Sequence, residues 1–171
     1  VDHPGSQPVH TPQVPGGMAL SPDGTRLAFT THPSAADDVE IAVARADGTG
    51  AAAITDNAVF DSSPAWAPDG RRIAFERGPK GDDPGNDVWS MAADGSDQRQ
   101  LTTSPGLDEG PSWAPSGTRI AFTSTRAGSS DVWTMAADGS DQRALTSLPG
   151  TEESPDWQAL PVASPAAPAP A

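Results

Sequence analysis

The chain has 171 residues, 23 acidic side chains against 10 basic ones, a formal net charge of −13, three histidines and no cysteine. That composition excludes disulfides, thiolate catalysis and Cys-ligated zinc, and so acidic a surface disfavours nucleic-acid phosphates and anionic lipid head groups, which are held through basic patches. No stretch approaches the roughly 18 consecutive apolar residues of a membrane span, so neither nucleic-acid binding nor direct membrane insertion is expected.

Residues 1–15 form a Pro-rich arm carrying Pro4, Pro8, Pro12 and Pro15, expected to be extended rather than packed. A pattern then begins that is repeated along the chain. The first copy reads A-L-S-P-D-G-T-R-L-A-F-T-T from Ala19, followed by E-I-A-V-A-R-A-D-G-T from Glu40. The second reads S-S-P-A-W-A-P-D-G-R-R-I-A-F-E-R from Ser62, then N-D-V-W-S-M-A-A-D-G-S-D-Q-R-Q-L-T from Asn86. The third reads G-P-S-W-A-P-S-G-T-R-I-A-F-T-S-T-R from Gly110, then S-D-V-W-T-M-A-A-D-G-S-D-Q-R-A-L-T from Ser130. A fourth opens with Glu153-Ser154-Pro155-Asp156-Trp157 and goes no further. Pro68 follows Pro22 by 46 residues, Trp113 follows Trp66 by 47 and Asp138 follows Asp94 by 44. A period in the mid-forties carrying several short strands is the mark of propeller blades.

Turn chemistry cuts each copy into four strands. Pro22-Asp23-Gly24, Pro68-Asp69-Gly70 and Pro115-Ser116-Gly117 suit a tight turn with proline presetting φ and glycine accepting a positive φ. The short apolar runs Leu27-Ala28-Phe29, Ile73-Ala74-Phe75 and Ile120-Ala121-Phe122 read as second strands buried between neighbouring sheets. Val88, Trp89 and Met91, like Val132, Trp133 and Met135, form third strands closed by Asp94-Gly95 and Asp138-Gly139 hairpins. Leu101-Thr102 and Leu145-Thr146 mark short fourth strands. The five tryptophans are expected to pack between blades, and Asp94, Asp97, Asp138 and Asp141 to serve their own turns. Arg26, Arg72 and Arg119 share one register, with an exposed edge or salt-bridge role expected.

The pattern P-x-W-A-P-[DS]-G-x-x-I-A-F, followed by D-V-W-x-M-x-x-D-G-S-x-x-x-x-L-T, resembles the TolB-type β-propeller repeat. The resemblance covers roughly residues 16–157, with Leu20 and Ala42 in the first copy where later copies carry tryptophan. It implies an all-β fold of four-stranded antiparallel blades around a channel. Repeats are expected at about 16–56, 57–105 and 106–150, with a partial fourth at 151–158 in a propeller region of 16–160, and a Pro/Ala-rich tail at 161–171. Three blades cannot close a ring, whereas two chains supply six, so a homodimer forming one six-bladed ring is expected. The valine start and the Pro/Ala tail point to an extracytoplasmic setting: periplasmic, wall-associated or secreted.

No catalytic constellation stands out. His3 and His10 lie in the arm and His32 in a loop, no nucleophile elbow is present, and phosphate-cradling glycine motifs are missing. One acidic set recurs in register: Asp61 before Trp66, Asp108 and Glu109 before Trp113, Glu152 and Glu153 before Trp157. By resemblance to TolB-type propellers these residues lead into the innermost strand, at one mouth of the channel. Carboxylates converging there repel one another unless a basic partner segment or a hard cation neutralises them, so Asp61, Asp108 and Glu109 are candidate calcium ligands. No cofactor is required. The expected function is a non-enzymatic exported scaffold binding protein or peptide at an acidic channel mouth; the alternative is a carbohydrate-active enzyme, or the propeller of a hydrolase, using channel carboxylates.

Overall fold

The computed structural model describes residues 17–32, 39–78 and 85–157. The Pro-rich arm, the Pro/Ala tail, Lys80 and the acid pairs Asp37-Asp38 and Asp82-Asp83 lie outside the described residues.

Twelve strands form three four-stranded antiparallel sheets among the described residues, each in chain order. The first holds β1 (Met18–Leu20), β2 (Arg26–Thr31), β3 (Glu40–Arg45) and β4 (Ala52–Ala53). The second holds β5 (Asp61–Trp66), β6 (Arg72–Arg77), β7 (Asp87–Ala92) and β8 (Arg99–Gln100). The third holds β9 (Asp108–Trp113), β10 (Arg119–Ser124), β11 (Asp131–Ala136) and β12 (Arg143–Ala144). β1, β5 and β9 approach one another, which makes them the inner strands of three successive blades, with the two-residue fourth strands at the outer edges.

Side chains alternate faces along a strand, so a blade with neighbours on both sides must be apolar on both. Strand β6 shows this. Ile73 and Phe75 enter one core with Ala28, Ile41, Trp66 and Met91, while Ala74 faces a second with Val88, Trp113, Ile120 and Met135. The two cores therefore lie between blades, not inside them. Trp66 and Trp113 are the inter-blade tryptophans expected. Trp89 and Trp133 pack against the same inter-blade cores but are only half-buried, each beneath an arginine of its own blade.

The hairpins follow their turn residues. Asp94 Oδ1 accepts from the Ser96 amide at 3.0 Å and its hydroxyl at 2.6 Å, and Asp138 does the same for Ser140. Gly95 and Gly139 are needed twice over, because φ is +86° and +88° and a Cβ would collide with the carbonyl of Ile54 or Leu101 in the preceding blade. The fourth strands end before the expected Leu101-Thr102 and Leu145-Thr146. Those threonines instead turn their hydroxyls inward to accept the amides of Val88 and Val132, each at 2.9 Å, so they close the blade through side chains.

A bulge shapes each complete inner strand. The register of β5 on β6 shifts between Ser62 and Ala65, and Ser63 carries φ of +51°; Gly110 does so in β9 at +59°. Proline follows in both, where the ladder needs no amide. After the third sheet, Ser154 repeats the left-handed conformation at +56° and Pro155 follows it. Glu152–Trp157 thus shares the left-handed residue and following proline of an inner strand, yet belongs to no sheet. Its Glu152 amide donates to Ser130 O at 2.8 Å, as Asp61 does to Val39 O and Asp108 to Asn86 O.

Candidate acidic end of the inner strands

The five acids expected at the channel mouth are in the expected register but in three different states. Asp61 and Asp108 are the opening residues of β5 and β9, not members of the preceding loops, and both are buried. Asp61 accepts a bidentate pair from Arg77 Nε and Nη2, both at 2.7 Å, and a third bond from Asn57 Nδ2 at 2.8 Å. Asp108 accepts from Arg126 Nη2 at 2.6 Å. Each arginine lies over an indole, Arg77 at 4.6 Å from the Trp89 centroid and Arg126 at 4.6 Å from that of Trp133. Each also donates to a glutamine of the outer hairpin, Gln98 at 2.9 Å or Gln142 at 2.6 Å. A carboxylate, guanidinium, indole and amide thus form one network that ties a blade's inner strand to its outer edge.

Asp61, Asp108 and Glu109 are the residues named above as candidate calcium ligands. Two of the three carboxylates are already neutralised by arginine, and among the described residues no three His, Asp or Glu side chains gather as a metal ligand set. Glu152 occupies the same register without such a network. Its Oε2 is buried and without a hydrogen-bond partner among the described residues.

Glu109 is the residue left to interact. It is half-buried, accepts from Asn86 Nδ2 at 2.9 Å, and is pushed above the usual carboxylate range by desolvation first and by Glu76 next, with Glu153 and Asp108 adding less. Glu76, not singled out from sequence, joins two blades: it accepts from Ser62 Oγ at 3.1 Å in its own blade and from the Gly110 amide at 2.6 Å in the next. Glu153 is exposed. Among the described residues none of these three glutamates forms an ion pair. The only sequence signal for Glu76 is its place at the end of the apolar Ile73-Ala74-Phe75 run, where the alternation puts it on the Ala74 face, toward the next blade.

The family model of the TolB beta propeller domain matches residues 19–160. Among solved structures, a putative TolB from Agrobacterium tumefaciens superposes with a TM-score of 0.69 at 27% identity, over 77% of this chain and 46% of that one. TolB from Acinetobacter baumannii superposes with a TM-score of 0.68 at 19% identity, over 80% of this chain and 33% of that one, which bears on the fold alone. A curated relative, Dipeptidyl-peptidase 5 of Porphyromonas endodontalis, is 36% identical over 64 residues, 35% of this chain and 9% of that protein. The chain spans less than half the length of each of these relatives. No helix among the described residues is long and apolar enough to cross a membrane. With a family model matched along most of its length and a TolB fold in its blades, the chain belongs to the TolB β-propeller family.

Proposed function

We propose that the chain is a non-enzymatic binding scaffold that takes a basic segment of a protein or peptide partner where β5 and β9 begin. The observation that carries this reading is Glu109, a half-buried carboxylate set beside Glu76 and Glu153 with its proton affinity raised. Like charges held together in a partly desolvated place repel until a cation arrives, so a basic segment gains both its own attraction and relief of that repulsion. An extracytoplasmic setting belongs to the same reading, supported by the family.

Anisotropy titrations with labelled basic, neutral and acidic peptides of equal length test it. Only the basic peptides are expected to bind, with affinity falling as salt rises, and Glu109→Gln is expected to weaken them about tenfold, about 1.4 kcal/mol. The pH dependence has a definite sign. Glu109 is ionised above its raised pKa and neutral below it, so binding fades as pH falls toward and through the carboxylate range, starting above 4.5. Equal affinity for acidic peptides, or no change in the glutamine variant, rules the reading out.

The likeness to a dipeptidyl-peptidase favours a second reading, the propeller of a hydrolase that controls substrate access. Peptide turnover by the chain, lost when Asp108→Asn and Glu109→Gln are combined, would replace binding with catalysis. Glycoside turnover lost in the same variant would identify a carbohydrate-active enzyme.

Two copies closing one six-bladed ring complete the proposal. Supporting it, β1 leaves Met18 and Leu20 exposed at 66% and 55%, while Glu152–Trp157 lies ready as an inner strand at the other end. In this arrangement that segment takes the place of the partner's three-residue β1, where Leu20 stands in the tryptophan position. Light scattering should give twice the 17.4 kDa chain mass, and deletion of Glu152–Trp157 should return monomer; a monomer at every concentration excludes the ring.

A further inference from the structure

The junction between the first and second blades contains an arginine that its counterpart between the second and third does not. At the first junction Arg26 lies with Cζ 4.5 Å from the Trp66 ring centroid and donates from Nη2 to Gly70 O at 3.1 Å. Arg72 holds the same register in the second blade but turns the other way. It pairs with Asp97 at 2.8 Å, donates to Asp97 O at 3.1 Å and to Ser90 Oγ at 3.0 Å. Arg119 behaves likewise with Asp141, at 2.7 Å.

Two positions account for the difference. The outer hairpins read Asp94-Gly95-Ser96-Asp97 and Asp138-Gly139-Ser140-Asp141, but the first blade reads Asp47-Gly48-Thr49-Gly50. All three closing positions have a positive φ, +51° at Asp97 and Asp141 and +66° at Gly50, so the backbone is shared, but the first blade lacks the carboxylate, and Val43 stands where Ser90 and Thr134 accept from Arg72 and Arg119, leaving Arg26 without the anchor that holds Arg72. Without it, Arg26 is free to cross to the next blade and cover Trp66.

With Arg72 drawn aside, a cavity of about 400 Å³ remains over Trp113, walled by Ala67, Pro68, Ser116, Gly117 and Ala137. The glycines record the contrast. A Cβ on Gly70 would meet Pro22 Cδ and Arg26 Nη2, whereas on Gly117 it would meet only Pro68 Cδ. Arg72 forms part of the cavity wall, but its charge is matched by Asp97, and the exposed Asp69 carboxylate adds a further negative charge. Trp113 and Gly117 line this cavity as Trp66 and Gly70 flank Arg26 at the first junction, and an indole beside a turn suits a planar, delocalised cation.

We propose that the cavity over Trp113 binds an arginine side chain of a partner protein or peptide, which takes the place that Arg26 fills over Trp66. The site lies at the end of β9 opposite Glu109 and does not depend on what binds there.

Titration of the whole chain with N-acetyl-arginine amide, followed through the tryptophan indole N–H resonances, tests this. The resonance that disappears in Trp113→Phe is expected to shift saturably at millimolar ligand, and the neutral citrulline analogue, of the same shape, to produce less than about a tenth of that shift. Asp97→Gly combined with Ser90→Val recreates the first blade's surroundings of this arginine. Arg72 should then swing over Trp113, moving its resonance before any ligand is added and reducing the titration response at least about tenfold. Gly50→Asp combined with Val43→Ser should do the reverse, drawing Arg26 away and making Trp66 respond to the ligand. No response at Trp113, an equal response to citrulline amide, or an undiminished response in the Asp97→Gly, Ser90→Val variant overturns the proposal; should that variant misfold, a silent Trp66 in the Gly50→Asp, Val43→Ser variant does so instead.

Discussion

Truncating Trp113 to alanine is expected to destabilise the chain by about 3–5 kcal/mol, the cost of removing a large aromatic side chain from a packed core. Trp113 is 9% exposed and meets Ala67, Ala74, Val88 and Leu101 across the junction, so its loss opens a void between two blades rather than inside one. The neighbouring blades cannot slide together to fill it, because Gly139 already rests against the Leu101 backbone at the outer edge of the same junction. Trp133→Ala is the internal comparison. That side chain is half-buried and should cost less. Denaturant midpoints at constant slope measure both, and a Trp113 variant as stable as the parent would remove this indole from the core.

Arg126→Ala is expected to be as damaging through a different mechanism. Asp108 is 1% exposed, its Oδ1 already lacks a hydrogen-bond partner, and Arg126 is the guanidinium that balances its charge. Removing the arginine leaves a buried, uncompensated carboxylate, which costs about 3–5 kcal/mol, whereas replacing both partners with apolar groups is often close to neutral. The double variant Asp108→Leu, Arg126→Leu should therefore recover most of the loss. Calorimetry showing Arg126→Ala within about 1 kcal/mol of the parent would mean that water reaches Asp108 and that the network is not a closed one.

The parts of the fold legible in the sequence are those whose causes are local. The Pro-Asp-Gly and Asp-Gly turns depend on the conformations of adjacent residues, and Ile73-Ala74-Phe75 is apolar throughout because both faces of its sheet are covered. The acidic register was legible as well, since Asp61, Asp108 and Glu152 stand at one offset from a tryptophan. What that register meets was not. The arginine that answers Asp61 lies 16 residues on, and the one that answers Asp108 lies 18 on, so the two fall out of phase when the repeats are aligned. Arg26 and Arg72 show the converse. They align in the repeats yet point to different blades, because their directions are decided elsewhere, by Gly50 and Val43 in the first blade and Asp97 and Ser90 in the second.

The hydrogen bonds that start each inner strand carry a consequence for assembly. Val39, Asn86 and Ser130 lie just ahead of third strands, and their carbonyls hold the opening residue of the inner strand that follows. A finished blade thereby acts as a template, fixing the phase of its successor before that successor has any sheet of its own, as Glu152–Trp157 illustrates, held by the Glu152 amide yet unpaired. Growth then resembles elongation of a filament from its tip. The entropy of finding the correct alignment is spent once, at the first blade, and each addition after that inherits a starting point along with half of its core.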